Sequence, residues 1–317
     1  MRRGRAVKTF YLVNPAAKNR GSTEAWERFR MEQGIIHESF VTRHPSEVKQ
    51  VVRDLVERYP DETLLLVGVG GDGTMKSIIS ASIGFPQVII GYIPSGSGND
   101  FARGYNWPRK PREAESRIKS GSRHAYLMDA GVFQLPAEPN GHFVNNIGIG
   151  FDARVAGRAN HSPWKKRLNR VSLGKLIYPI ILVREALTFQ PFSLQVRRDA
   201  EESMYDKVWF MTVSNHPYFG GGMKIAPDAH PDDGMLDVTV VAGLGRLKLI
   251  AVFLSVFVGK HTVFKEVHTF RTREMVVQAD GDPEIHADGE SCGTLAVNGR
   301  MSIRVLPSSW KMMNGRG

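Results

Sequence analysis

The sequence predicts an N-terminal parallel α/β domain followed by a C-terminal antiparallel β-sandwich. Three observations predict it. Over residues 1–130, apolar strand-length runs alternate with stretches of helical spacing, the order of a parallel sheet covered on both faces. Past Ala125 the rhythm changes to short strand-like runs separated by turn residues, as in a sandwich. Two glycine-rich turns, near residues 70–74 and 94–98, each follow a strand and precede a helix, which makes the first domain Rossmann-like.

The elements follow in order. A strand at 9–13 leads to a helix at 22–33. A strand at 36–41 leads to a helix at 46–58, with Ser46 as N-cap and Val48, Val51, Val52 and Leu55 at helical spacing. The two glycine-turn units come next, on strands near 64–67 and 88–93. Later strands are expected at 143–147, 192–196, 208–214, 236–241, 269–278 and 301–306, with helices near 174–188 and 246–258. The expected boundaries are 1–130 for the α/β domain, 131–305 for the sandwich, and 306–317 for a tail that could return to the first domain.

The first turn reads Gly70-Gly71-Asp72-Gly73-Thr74. Glycines let backbone N–H groups approach a phosphate closely, and a helix N-terminus favours the anion. An acid in that cradle would repel the phosphates unless a metal lay between, so Asp72 suggests a nucleotide held with Mg²⁺ and phosphoryl transfer. Competing readings exist. Gly68 to Gly73 also fits G-x-G-x-x-G, but the next strand-like run ends in Pro94, not in a ribose-binding acid. The P-loop pattern occurs nowhere, and a plain strand-to-helix connection is the bland alternative.

The second turn continues as Pro94-Ser95-Gly96-Ser97-Gly98-Asn99-Asp100-Phe101-Ala102-Arg103. Successive strand ends of a parallel sheet share one edge, so two such turns form one site. Ser97 offers a hydroxyl to a phosphate. Asn99 and Asp100 would cap the next helix, or Asp100 would orient substrate or a metal-bound water.

Composition narrows the class. Of 317 residues, 42% are apolar, enough for two cores. Cys292 is the one cysteine, so no intrachain disulfide forms and a reducing cytoplasm is expected. The basic start leads only to a short strand, unlike a signal peptide, and no run approaches the ~20 apolar residues of a membrane span. The 42 Lys+Arg against 32 Asp+Glu give +10, which favours anionic partners. Residues 153–184 contain no acid. They carry eight basic residues, among them Lys165, Lys166 and Arg167, beside Trp164 and an apolar run. That suits the face of an anionic bilayer; a solvated helix is the bland alternative.

With both turns read, the chain resembles the catalytic domain of diacylglycerol kinases and related bacterial lipid kinases. The resemblance continues through Asn14-Pro15, Tyr218-Phe219-Gly220-Gly221-Gly222-Met223, Ala226-Pro227, Asp232-Asp233-Gly234-Met235-Leu236-Asp237 and Asp288-Gly289-Glu290, nearly the whole chain. Ser97 stands where the family more often has threonine, and the first loop after Asn14 has fewer glycines than usual.

The resemblance implies an ATP- and Mg²⁺-dependent kinase acting on a lipid hydroxyl, most plainly diacylglycerol or a related glycerolipid, on a cytoplasmic, peripherally membrane-associated protein. Asn14, Thr42, Gly68, Gly70, Gly71, Gly73, Thr74 and Ser97 would hold the nucleotide, with Asp72 and Asp100 organising Mg²⁺. Asp288 would take the hydroxyl proton, with Glu290 orienting it or doing the task itself. A structural Mg²⁺ would sit on Asp233 with carbonyls of His230 and Met235, at a turn whose bland role is an Asp-Gly turn. The sandwich would be the lipid-substrate domain, and homodimerisation stays open. Two rivals remain: a NAD kinase, which shares the first turn but not the later segments, and a basic nucleic-acid-binding protein, for which no reading motif is present.

Overall fold

The computed structural model describes residues 7–15, 23–96, 98–120, 125–136, 138–161 and 177–314, with side chains at all of these except 159–161 and 177–180. The chain divides into two compact units. One comprises residues 1–130, 231–233 and 306–317; the other comprises 131–230 and 234–305.

In the first unit, strands β1 (Val7–Val13), β2 (Glu38–Val41), β3 (Thr63–Gly70) and β4 (Val88–Pro94) run parallel in the order β2-β1-β3-β4. β3 is buried from Leu64 to Gly70, as an inner strand covered on both faces must be. Helices α1 (Thr23–Gln33), α2 (Pro45–Arg58), α3 (Asp72–Ser82), α4 (Asp100–Gly104) and α5 (Pro111–Ser120) complete the unit. Tyr11, Leu12, Leu64, Leu66, Met75, Ile78 and Tyr92 form its core.

Two local differences from expectation have simple causes. Proline at a first helical position lacks an N–H that would be unpaired anyway, so α2 begins at Pro45 and His44 becomes the cap, its ring accepting the Ser46 N–H. β2 starts at Glu38 because Gly34, at φ +61°, closes α1. There the Ile35 N–H bonds Arg30 O at 2.9 Å, which occupies 34–35 with a helix stop.

The second unit is mostly antiparallel. β5 (Ala125–Gln134) enters it and pairs with β6 (Gly141–Phe143). β7 (Asn146–Gly150) leads into α6 (Phe151–His161), and α7 (Ile177–Thr188) into β8 (Phe192–Arg198). The 14-residue β9 (Glu201–Ser214) pairs with β8 through its first half and with β7 and β12 through its second. A small hairpin, β10 (Tyr218–Phe219) and β11 (Met223–Lys224), precedes β12 (Leu236–Ala242) and α8 (Arg246–Val256). The expected strand at 269–278 is two strands, β13 (Val267–Thr272) and β14 (Glu274–Ala279). They part at Arg273, where the Thr272 hydroxyl donates to Glu274 O. β15 (Glu284–Ala287), β16 (Glu290–Thr294) and β17 (Arg300–Met313) end the fold.

β17 is far longer than the expected 301–306. Its first part pairs with β14 in the second unit, while Met312 lies parallel to Ile90 of β4 in the first.

Candidate functional site

In the first unit the ends of the parallel strands bring most nucleotide candidates together. Asn14 follows β1; its N–H bonds Val69 O at 3.0 Å and its amide donates to Thr74 Oγ1 at 3.2 Å. Thr42 follows β2; its N–H bonds Val13 O at 2.9 Å. Its hydroxyl is buried without a hydrogen-bond partner, and so is that of Ser95. A buried hydroxyl left unpaired is costly, so two of them on one sheet edge fit a ligand that pairs them.

The two glycine turns are in direct backbone contact. Ser95 N–H and Gly96 N–H both bond Gly70 O, at 2.7 and 3.1 Å. A Cβ on Gly96 would stand 2.6 Å from Gly71 Cα, so a side chain there would wedge the turns apart. α3 starts at Asp72 on Gly71, leaving its first N–H groups without intrahelical carbonyls. Gly68 has a different place. It lies inside β3, where a Cβ would meet Met75 Sδ at 2.7 Å and Ile78 Cδ1 at 2.8 Å, so its absent side chain serves strand–helix packing. Ser97 lies outside the described residues.

Asp72 joins the turns by its side chain. Its Oδ1 accepts the Phe101 N–H at 2.9 Å, capping α4, the helix after the other turn. Asn99 does not cap with its side chain. It sits at φ +53°, accepting from the Tyr92 hydroxyl at 3.0 Å and donating to Gly96 O at 3.1 Å. Burial pushes the Asp72 carboxyl above its ordinary value, opposed by the N–H groups of 99–101 and by the Arg103 charge. Asp100 is buried and bridged to Arg103 at 2.8 Å. The Asp72 carboxyl thus lies against the backbone of residues 99–101, while the Asp100 carboxylate is held by Arg103.

In the second unit Asp288-Gly289 is the two-residue loop of the β15–β16 hairpin, with Ala287 opposite Glu290. Both loop residues have positive φ, +53° and +81°, the turn geometry that Asp-Gly favours. The Asp288 carboxylate faces inward. It accepts the N–H groups of Val144 (2.9 Å), Asn145 (2.7 Å) and Asn146 (3.0 Å), while its own N–H bonds Asn146 O at 2.9 Å. Glu290, two residues on, is exposed at the start of an edge strand.

Behind this hairpin are buried groups that the sequence reading did not single out. The Gly289 N–H donates to His286 Nδ1 at 3.3 Å, so Nε2 carries the ring proton and points at Asp152 Oδ2, also 3.3 Å away. The Thr212 hydroxyl donates to the same oxygen at 3.0 Å. A Cβ on Gly148 would come within 2.0 Å of that carboxylate, which explains the glycine. Nearby His216 accepts the Tyr218 N–H on Nδ1 and meets Asn145 Oδ1 through Nε2 at 2.7 Å. Full burial lowers its pKa to about 3 and keeps it neutral. Asp152 and His286 lie 134 residues apart in sequence, so no local signal pairs them.

His230, Asp233 and Met235 follow one another along the turn into β12, with Gly234 at φ +71°. Among the described residues no group of three or more His, Cys, Asp or Glu side chains is placed to hold a metal. A cation at this turn would therefore have at most two such side chains and take its other ligands from backbone carbonyls or water.

Comparison with known proteins agrees with this layout. Residues 8–130 match the diacylglycerol kinase catalytic domain, and residues 145–314 match the YegS C-terminal NAD kinase beta sandwich-like domain. The chain is 30% identical over 289 residues to "Putative lipid kinase YtlR" of Bacillus subtilis, covering 90% of this chain and 94% of that protein. The chain belongs to the diacylglycerol kinase family of lipid kinases. A Mycobacterium tuberculosis diacylglycerol kinase is likewise 30% identical over 248 residues, 78% of this chain and 75% of its own length. A crystal structure of a Bacillus anthracis diacylglycerol kinase shares the fold at TM-score 0.67, with 17% identity and 96% of each chain covered. A yeast NADH kinase structure also aligns, at TM-score 0.51 and 10% identity over 97% of this chain and 82% of its own. That likeness concerns the fold alone. The mixed sheet with helices and a C-terminal sandwich is thus the architecture of the diacylglycerol kinase and NAD kinase folds, and the enzyme class is lipid kinase.

Proposed function

We propose that this lipid kinase transfers the γ-phosphate of ATP to a hydroxyl of diacylglycerol or a related glycerolipid. The observation that carries the ATP part is the joined pair of glycine turns, with the unpaired hydroxyls of Thr42 and Ser95 on the same strand ends. In this reading the N–H groups at the start of α3 receive phosphate oxygens, Asn14 keeps Thr74 oriented, and Ser97 adds a hydroxyl. Asp72 and Asp100 hold Mg²⁺, directly or through water. When bound, that ion would offset charge on the transferring phosphoryl group.

For the proton, the reading favours Glu290 over Asp288. Both Asp288 oxygens already accept N–H bonds that lock the hairpin, whereas Glu290 stands exposed beside it. Asp288 then positions the turn and Glu290 removes the acceptor's proton as the phosphoryl group arrives. A second Mg²⁺ on Asp233, with carbonyls of His230 and Met235, would stiffen the turn into β12 and supply no chemistry.

The test is a radiolabelled ATP assay against a lipid panel in mixed micelles, with NAD as a parallel acceptor. Label in diacylglycerol or another glycerolipid, dependent on Mg²⁺, is the expected result. Label in NAD and in no lipid would overturn the proposal.

A further inference from the structure

The second unit presents one helix face that nothing in the described structure covers. α8 packs Leu249, Val252 and Val256 into the core of its unit. On the opposite side Leu247, Ala251 and Leu254 recur at spacings of four and three, a single stripe by helical geometry, and Val258 follows in the turn after the helix. These are among the most exposed large apolar side chains of the protein: Leu247 is 85% exposed, Leu254 59% and Val258 68%. Val263, in the short helical turn His261–Val263, is 79% exposed. Arg246 donates to Ala186 O at 2.9 Å, which ties the start of α8 to α7 and brings exposed Leu187 to the same end.

Charge indicates the occupant. Residues 238–265 contain no Asp or Glu, but carry Arg246, Lys248, Lys260 and Lys265. Arg246 and Lys248 lie about 100° to either side of Leu247 around the helix, flanking the stripe. Glu266, just outside, takes Lys248 at 2.6 Å. An apolar stripe edged by cations, on a helix of 11 residues, is too short to span a bilayer and suited to lie in its interface. No described helix is long and apolar enough to cross a membrane.

We infer that α8 and the turn after it form a docking surface for an anionic bilayer, with Leu247, Leu254, Val258 and Val263 entering the headgroup region. This deepens the lipid-kinase reading by naming the face that meets the membrane. It also differs from the sequence expectation. Of the acid-free stretch 153–184, Lys165, Lys166 and Arg167 lie outside the described residues, and Arg154 is bridged to Glu185 at 2.8 Å.

The test needs no ATP and no turnover, so failure of the kinase reading leaves it intact. The full chain is sedimented with vesicles of phosphatidylcholine alone, or with about a quarter phosphatidylglycerol. Binding to the anionic vesicles, weakened by salt, is expected. The double variant Leu247→Ser, Leu254→Ser should lose about tenfold or more in partitioning, with an unchanged melting temperature because both side chains are exposed. Leu254→Trp should shift its emission to the blue on anionic vesicles. Wild-type partitioning by the double variant, or an unshifted emission, would overturn the inference. So would a wild-type dimer that the double variant converts to monomer without change in vesicle binding, because a second copy would then cover the stripe.

Discussion

The Asp288 and Glu290 carboxylates are two residues apart and have opposite surroundings, so their substitutions should fail differently. Glu290→Gln removes an exposed carboxylate and leaves the three N–H bonds to Asp288 in place. It should lower kcat by roughly 10²- to 10⁴-fold at an unchanged melting temperature. Asp288→Asn puts an amide where three N–H groups converge, and an amide can offer them only one oxygen. It should cost about 1.5–3 kcal/mol, read as a lower melting temperature. If instead Asp288→Asn melts like wild type while turnover vanishes, Asp288 is the base. Glu115 offers a pH test at the same scale. It is buried, and both its oxygens accept the Tyr11 hydroxyl, at 3.2 and 3.1 Å. Burial raises its pKa above the ordinary value, with Tyr11 and Lys119 opposing. The folded state therefore holds this proton more tightly than the unfolded one. The stability this confers is complete below the unfolded value and is lost as pH rises through the folded one. Glu115→Gln keeps an acceptor for Tyr11 and does not titrate. Its stability relative to wild type should rise across that window, and a pH-independent difference in melting temperature would refute the buried-charge account.

At the scale of elements, the joined glycine turns are the feature to perturb. Gly96→Ala places a Cβ 2.6 Å from Gly71 Cα, whereas Gly71→Ala places one 3.3 Å from Gly96 Cα. Backbone cannot move aside as a side-chain tip can, so Gly96→Ala should separate the turns. It should weaken ATP binding by calorimetry about tenfold or more, and more than Gly71→Ala does, with a stability cost of about 1–3 kcal/mol. Equal binding by the two variants would show that contact between the turns does not shape the nucleotide site. These turns were legible in the sequence because each is a local pattern of strand, glycines and helix. The helix stop at Gly34 and the proline start at Pro45 are also local; the first helix ends at Gln33 as expected, while β2 starts two residues later and α2 one residue earlier than the pattern predicts. What could not be read were bonds between distant segments. Asp72 caps α4 across 29 residues, Asp288 gathers N–H groups 142–144 residues away, and His286 meets Asp152 across 134. No periodicity or spacing reports such pairs, because they depend on which strands become neighbours.

At the scale of the whole molecule, the chain leaves its first unit near residue 130 and completes it only with residues 306–317. That last segment is anchored in several ways. The Ser308 N–H bonds Asp129 Oδ1 at 2.7 Å, the Trp310 indole bonds Asp129 O at 2.9 Å, and Met312 pairs with Ile90. Trp310 is buried with its ring 5.4 Å from Tyr105 and 6.1 Å from Phe101. Phe101 stacks on Tyr105 at 4.3 Å, and it is Phe101 whose N–H is capped by Asp72. The C-terminal strand thus backs the helix that follows the second glycine turn. Trp310→Ala would leave a large cavity and remove the indole bond to Asp129 O, at a cost of about 3–5 kcal/mol. Because the void opens beside Phe101, the variant should also bind ATP more weakly, although Trp310 lies over 200 residues from the glycine turns in sequence. Calorimetry should show the first unit melting earlier, and ATP titration below that transition should show the weaker binding. A variant that melts early yet binds ATP as wild type would mean that the last strand supports the fold of this unit without setting the position of α4.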